Sequence, residues 1–181
     1  MGAVQPLLLV TGPPGAGKST VTRLVAARFE PSVLIDGDMF FQFLGPSAIK
    51  PWLPEARQQN EVVTRAAASA SGLFASEGYA TIYDGVVGPW FLPTFAKATG
   101  VDALDYVILM PSLDICVERV KTRVGHGFID EDATRHMYRE FADAEIAERH
   151  VLRDPPDDAA ATVDLIVKRA SAGKLRYEVS R

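Results

Sequence analysis

The chain has 181 residues, 48% of them hydrophobic and 23% charged, with a net charge of −4. That length and composition fit one domain with a proper core, and the negative balance excludes a global basic field that would attract nucleic acid. A single cysteine, Cys116, excludes an internal disulfide and suits a reducing compartment.

In chain order, the apolar runs Leu7–Val10, Val33–Ile35, Ala80–Tyr83, Tyr106–Met110 and His150–Leu152 read as strands. Between and after them, amphipathic segments read as helices over Ser19–Phe29, Met39–Leu44, Glu55–Ser76, Trp90–Ala98, Leu113–Arg123, Glu131–Glu148 and Asp157–Ala172. The segment Asp154–Asp158 reads as a helix start, and Lys174–Val179 as an added edge strand. This rhythm predicts an α/β fold, with a parallel sheet covered on both faces and a single domain over 1–181. The N-terminus lacks signal-peptide features and no apolar run can span a bilayer, so the expectation is a soluble cytoplasmic protein. Cys116 lies in an apolar helical stretch and reads as core filler.

Between the first strand and the first helix stands Gly12-Pro13-Pro14-Gly15-Ala16-Gly17-Lys18-Ser19. It matches the phosphate-binding loop pattern at every defined position. Glycines let backbone amides curl around a polyphosphate, and the helix N-terminus adds partial positive charge. Gly12 to Thr20 are therefore the expected nucleotide-binding residues. Lys18 is placed to reach the outer phosphates, and the Ser19 hydroxyl to ligate Mg²⁺.

Parallel sheets bind ligands at the carboxyl ends of their strands. The second strand ends in Asp36-Gly37-Asp38 and the third in Asp84-Gly85. Asp36 and Asp84 are candidate metal carboxylates, and Asp38 the candidate base for an acceptor hydroxyl. The alternative for each is a helix cap or a turn. Arg119, Arg123, Arg135 and Arg139 bracket His126, which has glycine on both sides. Arginine forks suit phosphate, so Arg119, Arg123 and Arg135 are candidate catalytic cations in a lid over about 119–139. Solvated helix charge is the other reading. Phe41, Trp52, Arg57 and Trp90, with Asp38 and Asp84, are the expected acceptor-binding residues. Trp52 and Trp90 can equally be packing residues. Arg57, Gln58, Asn60 and Arg65 share the early turns of the long helix. His136 and His150 have no partners at metal spacing.

These residues resemble a P-loop kinase of the small-molecule type, similar to gluconate kinase, shikimate kinase, adenylylsulfate kinase, chloramphenicol phosphotransferase and zeta-toxin-like kinases. Leu34-Ile35-Asp36-Gly37-Asp38 resembles the Asp-Gly-Asp element of gluconate and adenylylsulfate kinases. Pro51-Trp52-Leu53 and Arg123-Val124-Gly125-His126 resemble gluconate kinase pocket and lid elements. The resemblance implies a P-loop NTPase three-layer sandwich, with a five-stranded parallel sheet, the phosphate loop on the central strand and a helical lid. It also implies ATP as donor. Met39-Phe40-Phe41 replace the gluconate kinase histidine, which makes gluconate doubtful. Gly37-Asp38-Met39 resembles adenylate kinase, but Phe40 stands where an arginine should grip a monophosphate.

The resulting expectation is an ATP-dependent, Mg²⁺-dependent kinase that phosphorylates a hydroxyl of a small polar molecule. Phe40, Phe41, Trp52 and Trp90 suggest some apolar surface on that acceptor, as in an antibiotic or sugar derivative. The alternatives are a polynucleotide 5′-hydroxyl or nucleotide-sugar kinase, and an ATP-binding regulatory module with little turnover.

Overall fold

The computed structural model describes residues 6–122 and 130–180. Five strands form a parallel sheet: β1 (Leu7–Thr11), β2 (Ser32–Asp36), β3 (Ala80–Asp84), β4 (Ala103–Met110) and β5 (Val151–Arg153), in the order β2-β3-β1-β4-β5. The phosphate loop thus leaves the central strand, as expected of a P-loop NTPase sandwich. The tail supplies β6 (Arg176–Glu178), which pairs antiparallel with the first half of β4, Leu104 opposite Tyr177.

All five residues of β1 are buried, which is why it reads as a continuous apolar run rather than an alternating one. Its side chains serve two cores. Leu7 and Leu9 join Tyr83, Leu92, Phe95 and Tyr106 on one face. Leu8 and Val10 join Val25, Ile82, Leu109 and Ile166 on the other. Helices α3 (Arg57–Ser76) and α4 (Leu92–Thr99) pack together over the first face. Gly72 is needed there, because a Cβ would drive into the Thr99 carbonyl. Helices α1 (Lys18–Ala26) and α7 (Ala159–Ser171) pack over the second face.

The remaining helices are α2 (Asp38–Gln42), α5 (Leu113–Lys121) and α6 (Glu131–Asp143). Asp130 caps α6 by accepting from Ala133 N at 2.9 Å, and Asp158 caps α7 from Ala160 N at 3.0 Å, both by the ordinary carboxylate cap. Several expected ends move. Helix α1 stops at Ala26 rather than Phe29, and α4 begins at Leu92 rather than Trp90, with Pro93 in its first turn. Helix α6 ends at Asp143, five residues before the expected Glu148. Ala144 is extended there, and Ile146 packs against the core instead. Among the described residues, no helix is long and apolar enough to cross a membrane.

Candidate active site

The phosphate loop runs from the end of β1 into α1. Ala16 N donates to Pro13 O at 3.2 Å, closing the turn. Gly15 has φ +80°, and a Cβ on it would collide with the Cys116 carbonyl of α5. Glycine is therefore required both by conformation and by space. Lys18 Nζ donates to Gly12 O at 3.0 Å and Pro13 O at 3.1 Å, so the ammonium bridges the phosphate-loop turn. Thr20 is exposed on the first turn of α1. On the α5 side, Arg119 Nη1 donates to Gly15 O at 3.4 Å.

The segment after β3 is pinned beside the loop. Val87 N donates to Thr11 Oγ1 at 2.9 Å, and Tyr106 Oη donates to Val87 O at 3.0 Å. This fixes Asp84 at the mouth of the phosphate loop. Asp84 is 8% exposed. Burial raises its pKa above the ordinary carboxylate value, opposed by a hydrogen bond with the Ser19 side chain and by the charge of Lys18. Asp36 lies opposite Asp84 in the β2–β3 register. Its Oδ1 accepts Asp38 N at 3.0 Å, the local turn that starts α2. Gly37 N donates to Asp84 O at 2.8 Å and holds this turn against β3.

A cavity of about 1040 Å³ opens over these groups. Lys18, Ser19, Asp38, Asp84, Phe41, Trp52, Arg57 and Trp90 all line it. Asp36 does not. Trp90 also packs on Phe141 of α6, ring centroids 5.1 Å apart, and Lys50 lies 5.7 Å over the Trp52 ring. Both tryptophans therefore combine a packing contact with a place in the wall.

Helix α6 presents His136, Met137 and Glu140 to the cavity, followed by Asp143, Ala144 and Glu145. Arg135 and Arg139 are on the same helix but not in the cavity wall. Arg123 and His126 lie outside the described residues. Of the arginines expected in a lid, Arg119 alone is seen against the phosphate loop among the described residues.

Sequence reading did not single out Tyr83 or the acids at the end of α6. Tyr83 lines the cavity with its hydroxyl wedged where Cβ atoms of Gly37 and Gly85 would otherwise stand. Burial, then Asp38, Asp84 and Asp36, push its phenol above the ordinary range. In sequence it is one more aromatic in an apolar strand, and only the flanking Gly37 and Gly85 hint at the space it fills. Cys116 is buried and its thiol is pushed up to about 11 by that burial, consistent with core filler.

The donor set fits magnesium bound with a nucleotide. A serine hydroxyl and one buried carboxylate meet beside the phosphate loop, leaving phosphate oxygens and water to complete an octahedron. Among the described residues no group of three His, Cys, Asp or Glu is gathered to hold a metal alone.

No protein-family model matches this chain, and no curated protein sequence does. Solved structures do match. A sugar kinase from Janibacter sp. superposes with a TM-score of 0.74 at 16% identity, over 92% of this chain and 95% of that one. A gluconokinase from Sinorhizobium meliloti gives 0.64 at 18% identity, over 94% of each. The Deinococcus radiodurans tunicamycin resistance protein gives 0.58 at 15%, over 98% and 99%. Together with the strand order and the central phosphate loop, these matches establish that the chain has the P-loop NTPase fold, in the five-stranded form shared with small-molecule kinase structures.

Proposed function

We propose that this protein is an ATP-dependent kinase that transfers the γ-phosphate to a hydroxyl of a small polar molecule. One observation carries the reading: Lys18, Ser19, Asp84 and Asp38 all line one cavity at the carboxyl ends of the strands. The fold shared with a sugar kinase and a gluconokinase supports it.

Each residue then has a task. The loop amides and Lys18 hold the β- and γ-phosphates, and Lys18 exchanges its two carbonyl partners for phosphate oxygens. Ser19 and Asp84 would hold Mg²⁺, which supplies charge neutralisation and template geometry for the phosphates. Asp36, committed to the Asp38 amide, is the weaker metal candidate. Asp38 accepts the proton of the acceptor hydroxyl as that oxygen bonds to the γ-phosphorus. The bond from the γ-phosphorus to its bridging oxygen breaks, and ADP leaves. Arg119, from beside the loop, adds positive charge where the transition state gains negative charge. Arg123 and Arg135 remain candidates for the same role on closure. Trp52, Trp90, Phe41 and Arg57 shape the acceptor site.

The test is Mg²⁺-ATP consumption against a panel of hydroxyl compounds, with Lys18→Ala as the blank. Acceptor-stimulated ADP release lost in the variant supports a kinase. Tight ATP binding with no stimulation would support the regulatory-module reading instead.

A further inference from the structure

The cavity wall carries two chemically different sets of groups. Lys18, Ser19, Asp38 and Asp84 form one set. In another part of the wall, α6 supplies Glu140 and Asp143, and the chain just after it supplies Glu145. Among the described residues Asp143 and Glu145 form no ion pair, and Glu140 meets only the exposed His136, at 3.8 Å.

The helix end reinforces this. Helix α6 finishes with no capping backbone hydrogen bond and no basic residue in its last turn. Its last carbonyls and the negative end of its dipole therefore lie at the same wall. Besides Lys18 at the phosphate loop, Arg57 is the one wall residue with a fixed positive charge among the described residues, against the three carboxylates Glu140, Asp143 and Glu145. This part of the wall offers acceptors and negative charge, and asks for donors and positive charge.

Size and aromatic surface bear on the ligand as well. The cavity of about 1040 Å³ is just above the range that encloses drug-sized molecules, and the phosphate end of the nucleotide shares it with the acceptor. Trp52, Trp90 and Phe91 add aromatic surface to the wall, with Trp52 already under Lys50 and Trp90 packed on Phe141.

We infer that the phosphate acceptor is a hydroxyl compound carrying protonated amines, of the aminated-sugar or amino-cyclitol class. This rests on the kinase reading above. An acceptor bearing carboxylate or phosphate would meet three like charges on the wall built by α6, which disfavours sugar acids, nucleotides and polynucleotide ends.

The experiment uses one set of acceptors of similar size and different charge: kanamycin, fully N-acetylated kanamycin, maltotriose and trigalacturonate. Two readouts are taken at about 0.15 M salt, where long-range attraction to the acidic chain is screened. One is Lys18-dependent ATP consumption. The other is quenching of the fluorescence of Trp52 and Trp90, the only tryptophans in the chain. The expected result is that kanamycin binds and is turned over at least about tenfold better than the other three, the size of effect one charged hydrogen bond gives. The triple substitution Glu140→Gln, Asp143→Asn, Glu145→Gln should raise KM for kanamycin by about tenfold or more and narrow its lead over maltotriose. Asp143→Asn alone serves if the triple variant fails to fold. Kanamycin binding without turnover would keep the charge inference and sink the kinase reading. Turnover of maltotriose or the acetylated compound as good as that of kanamycin would overturn the inference and leave the kinase reading intact. Failure of kanamycin to bind, or undiminished binding to the variants, would overturn it as well.

Discussion

Asp36 and Asp84 face each other in register across β2 and β3, yet their carboxylates have different partners. Asp84 is buried against the Ser19 side chain near Lys18. Asp36 is exposed and accepts the amide of Asp38 at 3.0 Å. One is set toward the phosphate loop and the other shapes the turn that aims Asp38.

This division predicts unequal effects of the same substitution. Asp84→Asn removes the one buried charge beside Ser19 and should lower kcat by about 100-fold or more, the usual scale for losing a transition-state electrostatic contact. Its Mg²⁺ requirement should rise. Asn at position 36 can still accept from the Asp38 amide, so Asp36→Asn should keep kcat within about threefold, a difference of well under 1 kcal/mol. Magnesium titrations of both variants check this. Equal losses would mean that both carboxylates hold the metal.

Gly15 gives a second test. A side chain there must adopt a left-handed backbone and displace the Cys116 carbonyl. Gly15→Ala should cost more than about 1 kcal/mol of stability. It should also abolish ATP binding, because the loop and α5 can separate only by moving the amides proposed to hold phosphate. Calorimetric titration with ATP and a melting curve read the two effects separately. Normal ATP binding by the Gly15→Ala variant would show that the loop geometry differs.

His150 predicts a pH effect on stability. It is 1% exposed, with Nδ1 3.0 Å from Tyr106 O and its ring between those of Tyr106 and Tyr177. Burial lowers its pKa below the ordinary 6.5, outweighing the backbone hydrogen bond. The unfolded chain therefore takes up this proton first as pH falls. The stability His150 contributes is full above about 6.5 and is lost as pH drops toward the lowered folded value. His150→Phe keeps a ring in place and removes the titration. Denaturant unfolding at several pH values should show a flatter slope in the variant across that window, and an unchanged slope would reject the assignment.

The sheet was legible because β1, β3 and β4 are buried on both faces and so read as unbroken apolar runs. The phosphate loop was legible because its chemistry needs fixed residues at fixed spacing. The end of α6 was not. No Gly or Pro marks Asp143, and the helix stops because the chain must turn to bring Ile146 to the core and then feed β5 at the sheet edge. That misplaced end hid Glu145 from view, and with it the acidic wall. Arg135 shows the opposite limit. Its residue type suited phosphate, but helical periodicity without a known neighbour could not say that His136 and Glu140, rather than Arg135, line the cavity. Asp36 was expected beside the metal with Asp84 and Asp38 at the acceptor; the turn hydrogen bond from the Asp38 amide occupies Asp36, and Asp38 rather than Asp36 lines the cavity.

Asp105 makes the last prediction, far from the site. It lies on β4 beside β6, opposite Arg176 in the antiparallel register. Arg176 Nε donates to Glu178 Oε1 at 2.6 Å, so its guanidinium is already committed. Burial raises the Asp105 carboxyl from 3.8 to about 6, and Arg176 opposes this only in part. The sign is opposite to that of His150. Between about pH 4 and pH 6 the folded chain holds a proton that the unfolded chain has released. Folding stability is therefore greatest from this group below about pH 4 and falls as pH rises through about 6. Above that the ionised, half-buried carboxylate is a constant cost of about 1–2 kcal/mol once solvent screening is allowed for. Asp105→Asn should thus be more stable than the parent by about that amount at pH 7, and the gain should vanish near pH 4. Urea unfolding of both proteins at the two pH values measures it. A gain that is the same at both would assign the effect to packing rather than to charge, because an Asn side chain of equal volume differs from Asp at pH 7 in its charge and at pH 4 scarcely at all.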